Sequence, residues 1–177
     1  DLVRSRGLGD VYKRQPLLQK KEVFETFPVF SPDGRKLYFC TAEAKPIPAE
    51  YKEIRYSLCS IDFNPEDGTF GEKIDTLVNA AAMKKSISFP RPSYDGEYIM
   101  FTLSDYGNFS IWHKEADLWL LDLKDGGMRP IKEVNSDDTE SFHNWSSNSR
   151  WFVFSSRRGD GLYTRPVSYT HLRAHET

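Results

Sequence analysis

The stretch Phe27–Thr41, FPVFSPDGRKLYFCT, predicts two strands joined by a tight turn. Proline at the second position of the segment SPDG and glycine at its fourth position are typical of a type I turn. After the turn, apolar residues alternate, so that Leu37 and Phe39 lie on one face of the second strand. The predicted turn residues are Ser31, Pro32, Asp33 and Gly34.

The same pattern returns twice, as FPRPSYDGEYIMFTL at Phe89–Leu103 and FHNWSSNSRWFVFSS at Phe142–Ser156. The second copy keeps Ser93, Asp95 and Gly96 but has tyrosine in place of the proline, and the third has SSNS, which predicts a weaker turn. We interpret the turn aspartates as structural, because aspartate there accepts hydrogen bonds from its own turn. The copies are roughly 50 to 60 residues apart, a spacing typical of repeated β-units such as propeller blades.

Further strands are predicted between the copies at Tyr56–Phe63, Lys73–Val78, Asp117–Leu123 and 133–135, with hairpin turns NPEDGTFG and KDGG between them. Lys20–Thr26 is predicted to be the last strand of a preceding unit. The sequence therefore predicts an all-β fold, a partial β-propeller of four-stranded antiparallel blades. Two blades would be nearly complete and two others partial, with blade starts near residues 27, 89 and 142.

The segment Phe30–Phe39, FSPDGRKLYF, resembles the WD40-like repeat of TolB-type β-propellers, in which an apolar residue precedes Ser-Pro-Asp-Gly, a charged pair and an alternating strand. The resemblance extends over Val23–Arg165 and implies the propeller fold. TolB-like proteins of this kind are non-catalytic periplasmic binders of envelope lipoproteins. Similar blades also occur beside peptidoglycan-binding domains in Bacteroidetes-type envelope proteins.

This resemblance implies a non-catalytic scaffold that binds protein or cell-envelope ligands, including peptidoglycan or lipoproteins, in the periplasm or at the outer membrane. Two alternatives remain open, because a fold does not decide function. One is the substrate-gating propeller domain of a prolyl-oligopeptidase-type serine peptidase. The other is a metal-dependent sugar lyase with histidines in its channel.

The two ends of the chain have an unusual relation to each other. One back-translation of Ser5–Gln15 is the reverse complement of DNA that encodes Pro166–Glu176. That DNA resembles a transposon sequencing adapter, which predicts that residues 1–15 and 166–177 are not native and that 16–165 is the propeller fragment. Such segments are excluded from fold reasoning. We expect neither of them to make packed contacts with the rest of the chain.

Composition narrows the class of partner. The formal charge is −2 for the whole chain and becomes −4 when the charged residues of the two terminal segments are left out. A mildly acidic chain is a poor ligand for nucleic acid or anionic membrane. No apolar run approaches the roughly 18 residues that a membrane helix needs.

The loop 105–116 carries the candidate ligand-binding residues. It combines aromatic and polar side chains between two predicted strands, and aromatic loops on a rigid sheet often form recognition surfaces. The alternative, that these rings fold back onto the blades, stays open. The candidates are Tyr106, Asn108, Phe109, Trp112 and His113.

No catalytic group, metal site or cofactor site is predicted. The sequence has no Gly-x-Ser-x-Gly elbow and no phosphate-binding glycine loop. His113 and His143 lack partners at metal-ligand spacing, and we expect them to be partly buried hydrogen-bonding residues. Cys40 and Cys59 lie on adjacent predicted strands, so a disulfide and two separate thiols both remain open.

Overall fold

The protein is described by a computed structural model that covers residues 21–170. Within this range it is built almost wholly from antiparallel β-strands, with short 3-10 helices at Tyr51–Glu53 and Ser110–Trp112. The strands are β1 Val23–Phe30, β2 Lys36–Glu43, β3 Ser57–Asn64, β4 Thr69–Val78, β5 Ser86–Pro92, β6 Tyr98–Ser104, β7 Asp117–Asp122, β8 Met128–Pro130, β9 Glu140–Trp145, β10 Phe152–Ser156 and β11 Arg165–Tyr169.

Each sheet is a meander in which consecutive strands pair. Blade 1 is β1-β2-β3-β4, blade 2 is β5-β6-β7-β8 and blade 3 is β9-β10-β11. The first strands lie side by side, β1 against β5 and β5 against β9, so they are the innermost strands of a radial arrangement. The prediction of an all-β fold built from propeller-type blades is confirmed.

The turn between the first two strands is built by the same hydrogen bonds in all three blades. The Ser31 hydroxyl donates to Asp33 Oδ1 at 2.5 Å and accepts from the backbone N–H of Lys36 at 2.9 Å. The equivalent distances are 2.6 and 3.0 Å around Ser93, and 2.7 and 3.2 Å around Ser146. The third turn was predicted to be weaker, but it keeps the network because an asparagine oxygen accepts as the aspartate does.

Side chains that alternate along the strands form the seams, by which we mean the interfaces between neighbouring blades. Tyr38 and Cys40 face blade 2, whereas Leu37 and Phe39 share the opposite face of β2, as the two-residue period predicted. The seam between blades 2 and 3 is formed by Met100, Leu118, Leu120, Ile131, Val134, Trp145, Phe152 and Phe154.

An aromatic ladder links the three innermost strands. Phe27, Phe89 and Phe142 occupy equivalent positions, each at a register shift, and all have left-handed backbones with φ of 53°, 54° and 47°. Their ring centroids are 4.7 Å apart in both steps of the ladder. Left-handed backbone is costly for a residue with a Cβ atom, so ring stacking across the seams offsets local strain.

Several predicted boundaries are wrong. Residues 23–26 are not the last strand of a preceding blade, because they begin β1 and pair with β2. The fourth strand of blade 2 is Met128–Pro130 rather than 133–135. Pro166–Tyr169 pairs with β10 as part of β11, so the expectation that residues 166–177 make no packed contacts is wrong for this part. Residues 1–15 lie outside the described range.

The two cysteines are free thiols on opposite faces of blade 1. Cys40 packs into the seam with blade 2, and Cys59 lies in the cluster with Leu37 and Phe39 on the other face. A disulfide between them would need side chains on the same face. Burial raises the pKa of the Cys40 thiol well above its usual range, so it remains a neutral thiol.

The ladder can be tested by replacing Phe89 with glycine. Relief of the left-handed strain should raise the free energy of unfolding by about 1 kcal/mol. Loss of a partly buried ring that is stacked on both sides should lower it by about 3 kcal/mol. We expect Phe89→Gly to lower the free energy of unfolding by about 2 kcal/mol in urea titrations.

The matched control is Lys84→Gly, at an exposed lysine that also has a left-handed backbone (φ 56°). It loses no ring and should gain up to about 1 kcal/mol. If both variants gain stability equally, the ladder contributes nothing.

Candidate functional site

The loop 105–116 lies at the end of the blades where β6 runs into β7, which we call the loop end. The opposite end, which carries the three Ser-x-Asp/Asn turns, is the turn end. The first part of the loop is docked on blade 1: the N–H of Gly107 donates to the Ile54 carbonyl at 2.8 Å. A Cβ atom at Gly107 would lie 2.4 Å from the Tyr56 ring, so only glycine allows this approach.

Two of the predicted binding residues fold back onto the blades. The Tyr106 ring packs on the His113 ring with centroids 4.0 Å apart and meets Tyr51 edge-on at 5.7 Å. His113 is buried, and its Nδ1 lies 3.4 Å from Glu115 Oε1. Asn108 is half-buried beside them. Tyr106 and His113 therefore pack against the blades.

The other two aromatic residues of the loop point outward. Phe109 is 74% exposed with a left-handed backbone (φ 56°), and Trp112 is 62% exposed. Between them the 3-10 turn is anchored by Ser110, whose hydroxyl is hydrogen-bonded to that of Ser88 at 2.9 Å inside the blade. A rigid base thus presents two large rings to solvent.

Blade 3 extends this surface. The Arg157 guanidinium lies over the Trp112 ring, 4.6 Å from its centroid, and Phe142 at the end of the ladder is 54% exposed. Trp112, Phe142 and Arg157 line a small cavity of about 50 Å³. We call Phe109, Trp112, Phe142 and Arg157 the aromatic patch. The sequence pointed to its first two members only, because the others reach it through tertiary packing.

Glu140, which the sequence analysis missed, supports the blade 3 side of the patch. Its carboxylate is fully buried and accepts hydrogen bonds from the hydroxyls of Ser136 at 2.6 Å and Ser156 at 2.8 Å. It also lies 3.4 Å from Arg158 Nη2. The carboxylate is thus satisfied by donors and holds together the segments that flank Arg157.

His143 packs across the seam between blades 2 and 3, where Nε2–H donates to the Met100 carbonyl at 3.0 Å. Burial lowers the pKa of His143 to about 4, so the ring is neutral at pH 7.

Within residues 21–170, no group of three or more His, Cys, Asp or Glu side chains is arranged to hold a metal ion. The same range contains no helix of the length and apolarity that a membrane span needs.

No protein-family model matches this chain. No curated protein matches it either. Among solved structures it is similar to a puromycin-hydrolysing peptidase from Mycobacterium tuberculosis, with TM-score 0.56, 15% identity and 84% of this chain covered. It is also similar to an oligogalacturonate lyase from Vibrio parahaemolyticus, with TM-score 0.50, 13% identity and 89% coverage. A putative TolB from Agrobacterium tumefaciens gives TM-score 0.47, 12% identity and 83% coverage.

This chain spans 22% of the peptidase, 38% of the lyase and 58% of the putative TolB. For the peptidase and the lyase, identities of this size show a shared fold and no more. The likeness to the first two structures agrees with the blade architecture described above.

The buried His143 predicts a specific acid sensitivity. An unfolded histidine has a pKa near 6.5, whereas in the folded protein it is about 4. As pH falls, the unfolded state binds the proton first, which favours unfolding. The contribution of His143 to the free energy of unfolding is therefore complete above about pH 6.5 and is lost as pH falls towards 4. Between pH 7.5 and pH 4.5 the free energy of unfolding should fall by roughly 2 to 3 kcal/mol through this residue.

The measurement is urea unfolding of wild type and His143→Gln at both pH values. Glutamine can still donate to the Met100 carbonyl but does not titrate, so this variant should lose roughly 2 to 3 kcal/mol less stability than wild type on acidification. Equal losses in the two proteins would show that another group carries the acid sensitivity.

Proposed function

We propose that this chain is part of a non-catalytic β-propeller scaffold that binds a protein ligand of the cell envelope through the aromatic patch. The observation that carries the proposal is Phe109, a strained and solvent-exposed phenylalanine. Placement in the periplasm or at the outer membrane belongs to the same proposal.

Phe109 has no structural compensation of the kind seen in the ladder. Its left-handed backbone costs about 1 kcal/mol or more, and its exposed ring recovers little by burial. The preceding residues, Gly107 and Asn108, are of the types that adopt this conformation at small cost. A phenylalanine is therefore best explained by a contact that a ligand supplies.

The chemistry of the patch suits a protein partner. Trp, Phe and Arg are enriched at protein–protein interfaces, where a few such residues contribute most of the binding energy. Trp112 already has one face covered by Arg157, which fixes the orientation of both side chains before a ligand arrives. Pre-oriented side chains lose less entropy on binding.

The non-catalytic part of the proposal is supported by the burial and hydrogen bonding of four ionisable side chains. Glu140 is surrounded by donors, His143 is neutral and buried, and Asp33 and Asp95 are engaged in their own turns. A general base needs a group near its working pKa within reach of a substrate. Glu140 and His143 are buried away from any substrate, and the Asp33 and Asp95 carboxylates accept hydrogen bonds within their turns.

The binding role is tested by photocrosslinking in an envelope fraction. Benzoylphenylalanine at position 112 should yield defined protein adducts, whereas the same group at position 151, an exposed tryptophan at the turn end of blade 3, should not. Phe109→Ala should reduce the adducts of the position-112 probe at least tenfold, as expected for a central contact residue. Equal adducts from both positions, or no effect of Phe109→Ala, would refute the proposal.

A second test separates function from stability. Phe109→Gly removes the left-handed strain without losing a buried ring, so it should raise the free energy of unfolding by about 1 kcal/mol. The same protein should lose crosslinking at position 112. A variant that is destabilised by this change would show that the ring serves the fold instead.

A further inference from the structure

A groove of about 920 Å³ opens at the turn end between blades 1 and 2, away from the aromatic patch. It is lined by residues of both Ser-x-Asp turns and of the neighbouring strands, among them Asp33, Tyr38, Asp62, Tyr94, Asp95 and Gly96. Its volume lies in the range of roughly 300 to 1,000 Å³ typical of ligand sites.

A single position in the turn distinguishes this seam from the next one. Between blades 2 and 3, the Ser149 hydroxyl accepts a hydrogen bond from the N–H of Asp95 at 3.0 Å and ties the two turns together. The equivalent of Ser149 in blade 2 is Gly96, which has no hydroxyl to reach Asp33. Gly96 and Ser149 have similar left-handed backbones, with φ of 74° and 56°.

Tyr38 supplies a polar group to the groove. It is only 5% exposed and its ring packs in the seam, yet it lines the groove within electrostatic reach of Asp33 and Lys36, which line it too. Burial raises the pKa of Tyr38, so the hydroxyl stays protonated. No group among residues 21–170 is hydrogen-bonded to that hydroxyl, which opens into the groove and can meet a ligand there.

The charges of the lining favour a cationic ligand. Four aspartates, at positions 33, 62, 75 and 95, line the groove together with Arg35 and Lys36, and Asp75 is paired with Lys73 at 2.6 Å. The carboxylates of Asp33 and Asp95 would therefore meet a cationic ligand. The Lys36 ammonium group forms an ion pair with Asp62 at 2.5 Å, so its charge is already compensated within the groove lining. Tyr94 is more than half exposed and offers the face of a ring.

We propose that this groove binds an extended peptide segment of a protein partner through an arginine side chain. The planar guanidinium has five donors, enough to reach the Tyr38 hydroxyl and carboxylates at once. It can also stack on the Tyr94 ring, as guanidinium groups do on aromatic faces. This site is independent of the aromatic patch, which lies at the other end of the blades.

The probe is a fluorescein-labelled peptide, acetyl-Gly-Ala-Arg-Ala-Gly-amide, titrated with the full chain and followed by fluorescence anisotropy. The control peptide has citrulline in place of arginine, which keeps the shape but removes the charge. We expect the citrulline peptide to bind at least tenfold more weakly. Equal binding of the two peptides would overturn the proposal.

Two variants locate the site. Tyr38→Phe keeps the ring in the seam and should weaken binding of the arginine peptide about tenfold. Gly96→Ser should abolish binding, because a serine hydroxyl there can accept from Asp33 N–H as Ser149 does from Asp95. A Cβ atom at Gly96 would have no neighbour within 4 Å, so there is room for the side chain, and the left-handed backbone (φ 74°) is strained for serine as it is at Ser149 (φ 56°).

The matched control is Ser149→Gly, which makes the equivalent change in the seam that is already closed. It should leave the affinity for the arginine peptide unchanged, as should Trp112→Ala at the loop end. Urea unfolding midpoints establish that each variant is folded before titration. Wild-type affinity in both Tyr38→Phe and Gly96→Ser would refute the groove as the site.

Discussion

Each blade depends on a serine hydroxyl that makes two hydrogen bonds inside one turn. By donating to the third residue of the turn and accepting from the first residues of the next strand, Ser31 fixes how the first two strands pair. Ser93 and Ser146 repeat the arrangement. Once that register is set, the two-residue period decides which side chains enter which seam, and the seams hold the blades side by side.

The innermost strands show how the repeat tolerates local strain. Three phenylalanines adopt an unfavourable left-handed backbone. Each ring packs on the next across a seam, and this packing offsets the backbone strain. Phe109 has the same backbone conformation without such support. Comparison of equivalent conformations within one chain thus separates strain that ring packing offsets from strain at an exposed ring, which is the feature on which the proposed recognition role rests.

The turns, the strand period and the blade architecture could be predicted from sequence because they arise from contacts within about ten residues. Which rings of the candidate loop 105–116 are exposed could be predicted only in part. Tyr106 and His113 have the same residue chemistry as Phe109 and Trp112, and only contacts such as the one with Tyr51 separate buried rings from exposed ones. Glu140 was not predicted because its partners, Ser136 on one side and Ser156 and Arg158 on the other, come from two segments that meet only in the folded chain.

The residue at the fourth position of the turn also affects how such a protein can evolve by point mutation. Glycine and serine codons can differ by a single base, and both residues are found at this position in equivalent backbone conformations. A point mutation there can tie two blades together or leave a groove between them, while the hydrophobic seam beneath stays intact. A propeller built on this turn can therefore gain or lose grooves one blade at a time, without redesigning any strand.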